Sequence, residues 1–145
     1  MERVLITLWV GALWTVGFVV APVLFSELDR STAGTLAGIL FHYLNFAGLI
    51  IGSGLLLRNR LTTQATLPAL LLVLMLLLIL INEFGIAPEI AALREAGFAA
   101  GSETAKRFGL LHGAASVLYL INALFGLALA VVGARGVTRQ NHTSC

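Results

Sequence analysis

Four long apolar runs constrain this chain more than any other feature of its sequence. They lie at residues 4–25, about 34–57, about 67–86 and about 108–134, and each has about 20 residues or more. At about 1.5 Å per residue, a helix of that length crosses a hydrocarbon core of about 30 Å. Inside a bilayer only helices and closed barrels satisfy their backbone hydrogen bonds, and these runs are too long for barrel strands. The sequence therefore predicts an all-α protein, an integral membrane four-helix bundle.

The composition supports lipid as the solvent of this chain. Of its 145 residues, 59% are hydrophobic and 11% charged, whereas a soluble domain carries about 25% charged residues. A larger core cannot absorb the shortfall, because a small domain has too much surface to cover. The net charge of +2 comes without a basic stripe, so we expect the lipid bilayer as partner and no nucleic acid. The single cysteine, Cys145, ends the chain and has no CxxC partner.

The charges between the runs predict how the bundle is oriented. The amino terminus, the second connection and the carboxyl terminus are basic, while the first and third connections are slightly acidic. An excess of Lys and Arg marks the cytoplasmic segments of a membrane protein. We therefore expect an up-down topology in a bacterial-type cell inner membrane, with both termini cytoplasmic.

The ends of the helices are also marked in the sequence. We expect one membrane domain over residues 1–145, with helices at about 4–26, 34–57, 66–95 and 104–134 and a disordered tail at 135–145. Because proline interrupts helical hydrogen bonding, Pro22 is predicted to kink the end of the first helix. Pro88 is predicted to bend the third helix near residues 86–88. Ser102 followed by Glu103 is typical of a helix start and predicts the beginning of the fourth helix.

Small residues share one face of the second helix. At 100° per residue, Gly34, Gly38, Gly48 and Gly52 lie within about 40° of one direction, and the polar Asn45 lies among them. Small residues let neighbouring backbones approach closely in a membrane, so this face is expected to be buried. The residues predicted to pack helices together are Gly34, Gly38, Gly48 and Gly52 on the second helix and Gly109 and Gly113 on the fourth.

Polar side chains are expected to meet at one depth of the membrane. The stretch "LFHYLNFAG", residues 40–48, places His42 about 12 Å from the outer start of its helix at ~1.5 Å per residue. Glu83 lies near the outer end of the third helix and His112 near the outer start of the fourth. The sequence thus predicts a polar layer in the outer half of the bundle, which also contains Tyr43, Asn45, Asn82, Ser116 and Tyr119.

The two histidines of this layer allow three interpretations. They can be structural, since an intramembrane hydrogen bond between helices stabilises by about 0.6 kcal/mol on average. They can be ligands: His42 and His112 with Glu83 for a divalent metal, or His42 and His112 as axial ligands of a haem. They can also relay protons or contact a small solute, because ionisable residues at depth are functional candidates. The two histidines are 70 residues apart, a spacing that is not diagnostic for any of these.

The chain resembles the domain-of-unknown-function family DUF4149, whose eukaryotic relatives are similar to transmembrane protein 205. The resemblance rests on residues in all four runs: Ala21, Pro22 and Phe25; Ala33 and Gly34 in "DRSTAG"; Leu40, Phe41 and Tyr43; Asn82, Pro88 and Arg94; and Phe108, His112, Gly113, Ser116 and Asn122 in "RFGLLHGAASVLYLIN". It implies a four-helix integral membrane protein and brings no catalytic residue. The eukaryotic pattern has a longer connection before the last helix.

The expected function follows from what the sequence contains and lacks. It has no GxSxG, HExxH, phosphate-loop or CxxC motif, so no catalytic residue is predicted. We expect a small, non-catalytic membrane protein that associates with another membrane protein or a second copy. The alternatives are a haem- or metal-binding redox or transport module and a proton or small-solute pathway.

Overall fold

A computed structural model describes residues 2–62, 65–99 and 101–141, with side chains through residue 132. The described residues form four helices: α1 (Glu2–Glu27), α2 (Arg30–Leu61), α3 (Thr66–Ala96) and α4 (Glu103–Asn141). All four are long and apolar enough to cross a membrane. This confirms the prediction of an all-α protein with four spans in a lipid bilayer.

The helices form a ring in which each contacts two neighbours. Helix α3 packs against α2 and α4, and α1 packs against the same two helices. Short connections join consecutive helices, which therefore run in opposite directions. As a result, α2 and α4 occupy opposite corners of the bundle, and residues on these two helices face each other across its interior.

Polar side chains mark the starts of two helices. The Asp29 carboxylate accepts hydrogen bonds from the backbone N–H groups of Ser31 and Thr32, both at 3.0 Å, and so caps α2. Hydrogen bonds from Thr32, which have the largest effect, and from Ser31 hold the pKa of this carboxyl below its ordinary value. At the start of α4, Ser102 Oγ accepts from the backbone N–H of Ala105 at 3.1 Å. Helix α4 continues to Asn141, beyond the predicted end at residue 134, and residues 142–145 of the predicted disordered tail lie outside the described residues.

One half of the bundle is filled with apolar side chains. We call this half the closed end; it holds the amino terminus and the connection between α2 and α3. Gly48 and Gly52 let α2 approach the other helices there, since a Cβ would lie 2.9 Å from Trp9 Nε1 at the first and 2.9 Å from Leu76 Cδ2 at the second. The buried core of the closed end consists of Trp9, Leu13, Leu55, Leu71, Leu72, Met75, Ile79 and Leu129.

Two helices contain a widened, π-helical turn. These turns lie at Val16–Val20 in α1 and at Ile81–Ile86 in α3. Each is followed at once by an Ala-Pro pair, with prolines Pro22 and Pro88. A proline ring clashes with the carbonyl four residues earlier and cannot donate to it, so a widened turn before the proline relieves the clash. Such turns are frequent at functional sites, and both lie at the level where the bundle opens.

Candidate functional site: an intramembrane cavity

The other half of the bundle encloses a cavity of about 1080 Å³. We call this half the open end; it holds the α1–α2 and α3–α4 connections. Side chains of all four helices line the cavity, from residues 17–25, 34–46, 82–95 and 112–120. The volume lies just above the usual range of small-molecule sites, which is about 300–1,000 Å³. The wall is largely apolar and contains five phenylalanines: Phe18, Phe25, Phe41, Phe46 and Phe84.

A buried carboxylate lies in this cavity wall. Glu83 sits in the π-helical turn of α3, and its side chain is only 6% exposed. Its Oε2 accepts a hydrogen bond of 2.8 Å from Asn45 Nδ2, and its Oε1 accepts one from His42 Nδ1. Both donors come from α2, one turn apart. A buried carboxylate requires such partners, and we call these three residues the Glu83 cluster.

His42 connects the Glu83 cluster to the cavity space. Its side chain is 55% exposed and lines the cavity, and its ring lies 4.7 Å from that of Phe46. One ring nitrogen is engaged by Glu83. The ring therefore carries a polar edge into a largely apolar wall, where it can hydrogen-bond a ligand.

His112 lines the same cavity from the opposite corner. Its ring lies parallel to that of Phe108 at 6.0 Å, and its carbonyl accepts a hydrogen bond from Ser116 Oγ. In the part of the chain that the structure describes, no three His, Cys, Asp or Glu side chains are grouped to hold a metal. The predicted ligand set of His42, Glu83 and His112 is thus not assembled: Glu83 contacts His42, and His112 stands apart on α4.

Tyr119 lies where the cavity meets the closed end. Its hydroxyl donates to the backbone carbonyl of Leu13, and its ring contacts that of Phe41 edge-on at 4.8 Å. The ring lies directly against the backbone of Gly17, where a Cβ would be 2.4 Å from Tyr119 Cε1. Real Cβ atoms essentially never come so close, so this packing of α1 on α4 needs glycine at position 17.

Three asparagines extend the polar layer beyond Tyr119. Asn45, Asn82 and Asn122 line a second, small space of about 10 Å³. The Oδ1 atoms of Asn82 and Asn122 are buried there without a hydrogen-bond partner among the described residues. A space of roughly 10–15 Å³ is the smallest that holds one water molecule. Asn122 therefore extends the polar layer beyond the large cavity, as far as the apolar core.

Arg94 lies at the mouth of the cavity, and the sequence alone did not single it out as a site residue. Its guanidinium lies against α2, with Nη2 at 3.2 Å from a Cβ placed on Gly34 and Nη1 at 3.7 Å from one on Gly38. It also lies 5.9 Å from the centre of the Phe108 ring. It follows Glu83 by 11 residues, about three helical turns. That spacing puts both charges on one face of α3, a signal that was available in the sequence.

The predicted packing glycines and the predicted polar layer lie in different surroundings in the structure. The nearest atoms to a Cβ placed on Gly34 or Gly38 belong to the Arg94 side chain. Contrary to the predicted packing role, Gly109 and Gly113 are exposed, and apart from the adjacent backbone of α4 no described atom lies within 4 Å of a Cβ at either position. Among the residues lining the large cavity are all members of the predicted polar layer: Tyr43, Asn45, Asn82, Ser116 and Tyr119.

Comparison with known proteins gives a family for this chain. A family profile described as "Domain of unknown function (DUF4149)" matches residues 4–99. The match covers α1–α3 with the Glu83 cluster and Arg94, whereas the block around His112 lies beyond it. No curated protein and no solved structure matches the chain. The similarity to transmembrane protein 205 stays a prediction.

Proposed function

This chain belongs to the DUF4149 family, and from that premise and the cavity we propose that it is a non-catalytic membrane protein that binds a small amphipathic molecule from the lipid phase. The observation that carries the proposal is the 1080 Å³ cavity with a buried, hydrogen-bonded carboxylate in its largely apolar wall. Ligand sites are typically concave and apolar with a few placed polar groups. A bundle serving only as a structural span has no need of such a space.

The apolar core favours binding over passage across the membrane. The cavity occupies the open end alone, and the described residues of the closed end fill it with buried side chains such as Leu13, Met75 and Leu129. The proton or small-solute pathway needs a polar route through that core. The protein can associate with a partner protein or a second copy while a small molecule occupies the cavity. The resulting complex then contains that molecule.

The haem hypothesis remains a rival for the same cavity. It requires His42 and His112, which both line the space, to ligate iron from opposite corners. Purified protein then shows a Soret band that is lost in the variant with both histidines replaced by alanine. Saturable binding of a colourless amphiphile by protein without a Soret band supports our proposal instead.

Filling the cavity is expected to weaken ligand binding. Ala115 on α4 lines the cavity, so Ala115→Phe places a ring in the space that the ligand occupies. We expect at least a tenfold weaker affinity, which corresponds to about 1.4 kcal/mol. Binding is measured with radiolabelled methyl oleate, a neutral amphiphile, by scintillation proximity on protein immobilised in neutral detergent.

The adjacent alanine provides the matched control. Ala114 is exposed and is not among the cavity-lining residues, so Ala114→Phe is expected to leave methyl oleate binding unchanged. The proposal fails if the wild-type protein shows no saturable binding, or if both phenylalanine variants bind as the wild type does.

The native cysteine offers a test of the proposed orientation. We propose that both termini are cytoplasmic in a bacterial-type inner membrane, in line with the basic residues at the ends of the chain. A membrane-impermeant maleimide added to intact spheroplasts should then leave Cys145 unlabelled until the membrane is permeabilised. In a Cys145→Ser background, Ala99→Cys in the exposed α3–α4 connection should be labelled at once. The reverse pattern would invert the topology.

A further inference from the structure

Arg94 differs from Arg107, which also lies near the open end. Arg107 pairs with Glu89 at 2.7 Å, whereas Arg94 makes no ion pair and no hydrogen bond within the described ranges. It is half-buried between Gly34 and Phe108, and it lines the cavity. A guanidinium forms its strongest hydrogen bonds with an anion, often two in parallel. Among the described residues, no anionic side chain makes such a bond to Arg94.

The depth of Arg94 matches the level of lipid headgroups. Its guanidinium lies beside Gly34, the residue at which the second apolar run begins, and therefore at the edge of the hydrocarbon layer, where the headgroup region starts. Glu83 lies on the opposite side of that boundary, about 16 Å from Arg94 along the helix. The cavity therefore runs from a cation at the interface to a carboxylate inside the hydrocarbon layer.

From this arrangement we infer that the ligand is a single-chain amphiphile with a carboxylate head, held at the mouth by Arg94 with its chain along the phenylalanine wall. The inference rests on the proposed function and names the class of its ligand. A planar guanidinium matches a carboxylate through two parallel hydrogen bonds. One arginine at the mouth balances one negative charge. The negative charge of Glu83 at the base of the cavity repels the carboxylate of the ligand. The ligand therefore lies with its carboxylate at Arg94 and its chain toward Glu83.

The preference for a charged head is the measurable consequence. We expect the wild-type protein to bind oleate about tenfold or more tightly than methyl oleate at pH 8, because a hydrogen bond to a charged group is stronger than a neutral one. Arg94→Gln should weaken the binding of oleate more than that of methyl oleate, so that the ratio of the two affinities falls to about one. Arg94→Lys, which keeps the charge and loses the fork, should retain part of the preference. The measurement is the same scintillation proximity assay with both radiolabelled probes.

Arg107→Gln is the matched control, because Arg107 carries the same charge near the same end and is already neutralised by Glu89. It should keep the full preference for oleate. Unlabelled acetate at millimolar concentration should not displace oleate, since acetate has the head without the chain. Thermal unfolding of each variant in the same detergent establishes that it is folded.

The outcomes separate the two proposals. Equal affinity for oleate and methyl oleate in the wild type, or an unchanged ratio in Arg94→Gln, overturns the inference and leaves the proposed function standing. Displacement by acetate overturns the requirement for a chain. Absence of saturable binding for both probes overturns the proposed function itself.

Discussion

Replacing Gly17 with alanine is expected to lower the free energy of unfolding by about 1–3 kcal/mol, the usual cost of overpacking. A Cβ at this position would lie 2.4 Å from Cε1 and 2.9 Å from the hydroxyl oxygen of Tyr119. The tyrosine ring is rigid, and its hydroxyl is tied to the Leu13 carbonyl. Relief therefore requires either loss of that hydrogen bond or separation of α1 from α4. Denaturation of the purified protein by SDS in mixed micelles measures the change.

Gly11 on the same helix provides the comparison. Nothing lies within 4 Å of a Cβ at this position, so Gly11→Ala tests the intrinsic effect of the substitution. Alanine favours a helix over glycine by up to about 1 kcal/mol, and Gly11→Ala should be neutral or stabilising. If Gly17→Ala is equally harmless, Tyr119 does not hold α1 against α4 in the way described.

Much of the fold was predictable because the bilayer leaves few choices. An apolar run of about 20 residues must be helical in lipid, and four such runs with short connections make an antiparallel bundle. The inward position of Asn45 was predictable from its angle relative to Gly48 and Gly52, since a period of 3.6 places these residues on one face. The contact between His42 and Glu83 was less certain, because depth along a helix does not specify which neighbour a side chain meets.

The cavity and its mouth were not predictable in the same way. A π-helical turn carries no periodic signal, and Val16–Val20 reads as an ordinary apolar stretch. Gly17 and Ala21 have the small-xxx-small spacing, a signal that does not specify Tyr119 as the residue packed against Gly17. Arg94 lies beyond the end of the third apolar run, where a charged side chain usually faces water. Gly109 and Gly113 were predicted to pack against another helix, because a face of small residues indicates close packing. In the structure this face points outward.

Removing the buried partner of Glu83 is expected to destabilise the bundle by about 2 kcal/mol, within the range of hydrogen bonds to charged groups. Asn45→Leu introduces an apolar side chain of similar size at a buried position and deletes the 2.8 Å hydrogen bond to Oε2. His42 cannot compensate, because it already contacts the other oxygen. The buried carboxylate is then left with an unsatisfied acceptor, which is the costly part of the change. Chemical denaturation in detergent gives the free energy.

A second asparagine separates this effect from the general cost of altering a buried amide. Asn122 is 3% exposed, and its Oδ1 has no hydrogen-bond partner among the described residues. Asn122→Leu deletes no hydrogen bond to a charged group and should therefore lower stability by less than Asn45→Leu does. In a Glu83→Gln background the acceptor is neutral, and Asn45→Leu should cost only about 0.6 kcal/mol, the average for intramembrane hydrogen bonds. An equal cost of Asn45→Leu in both backgrounds would show that Glu83 carries no charge in the folded protein. The base of the cavity would then be a neutral hydrogen-bonding surface, and the direction proposed for an anionic ligand would rest on Arg94 alone.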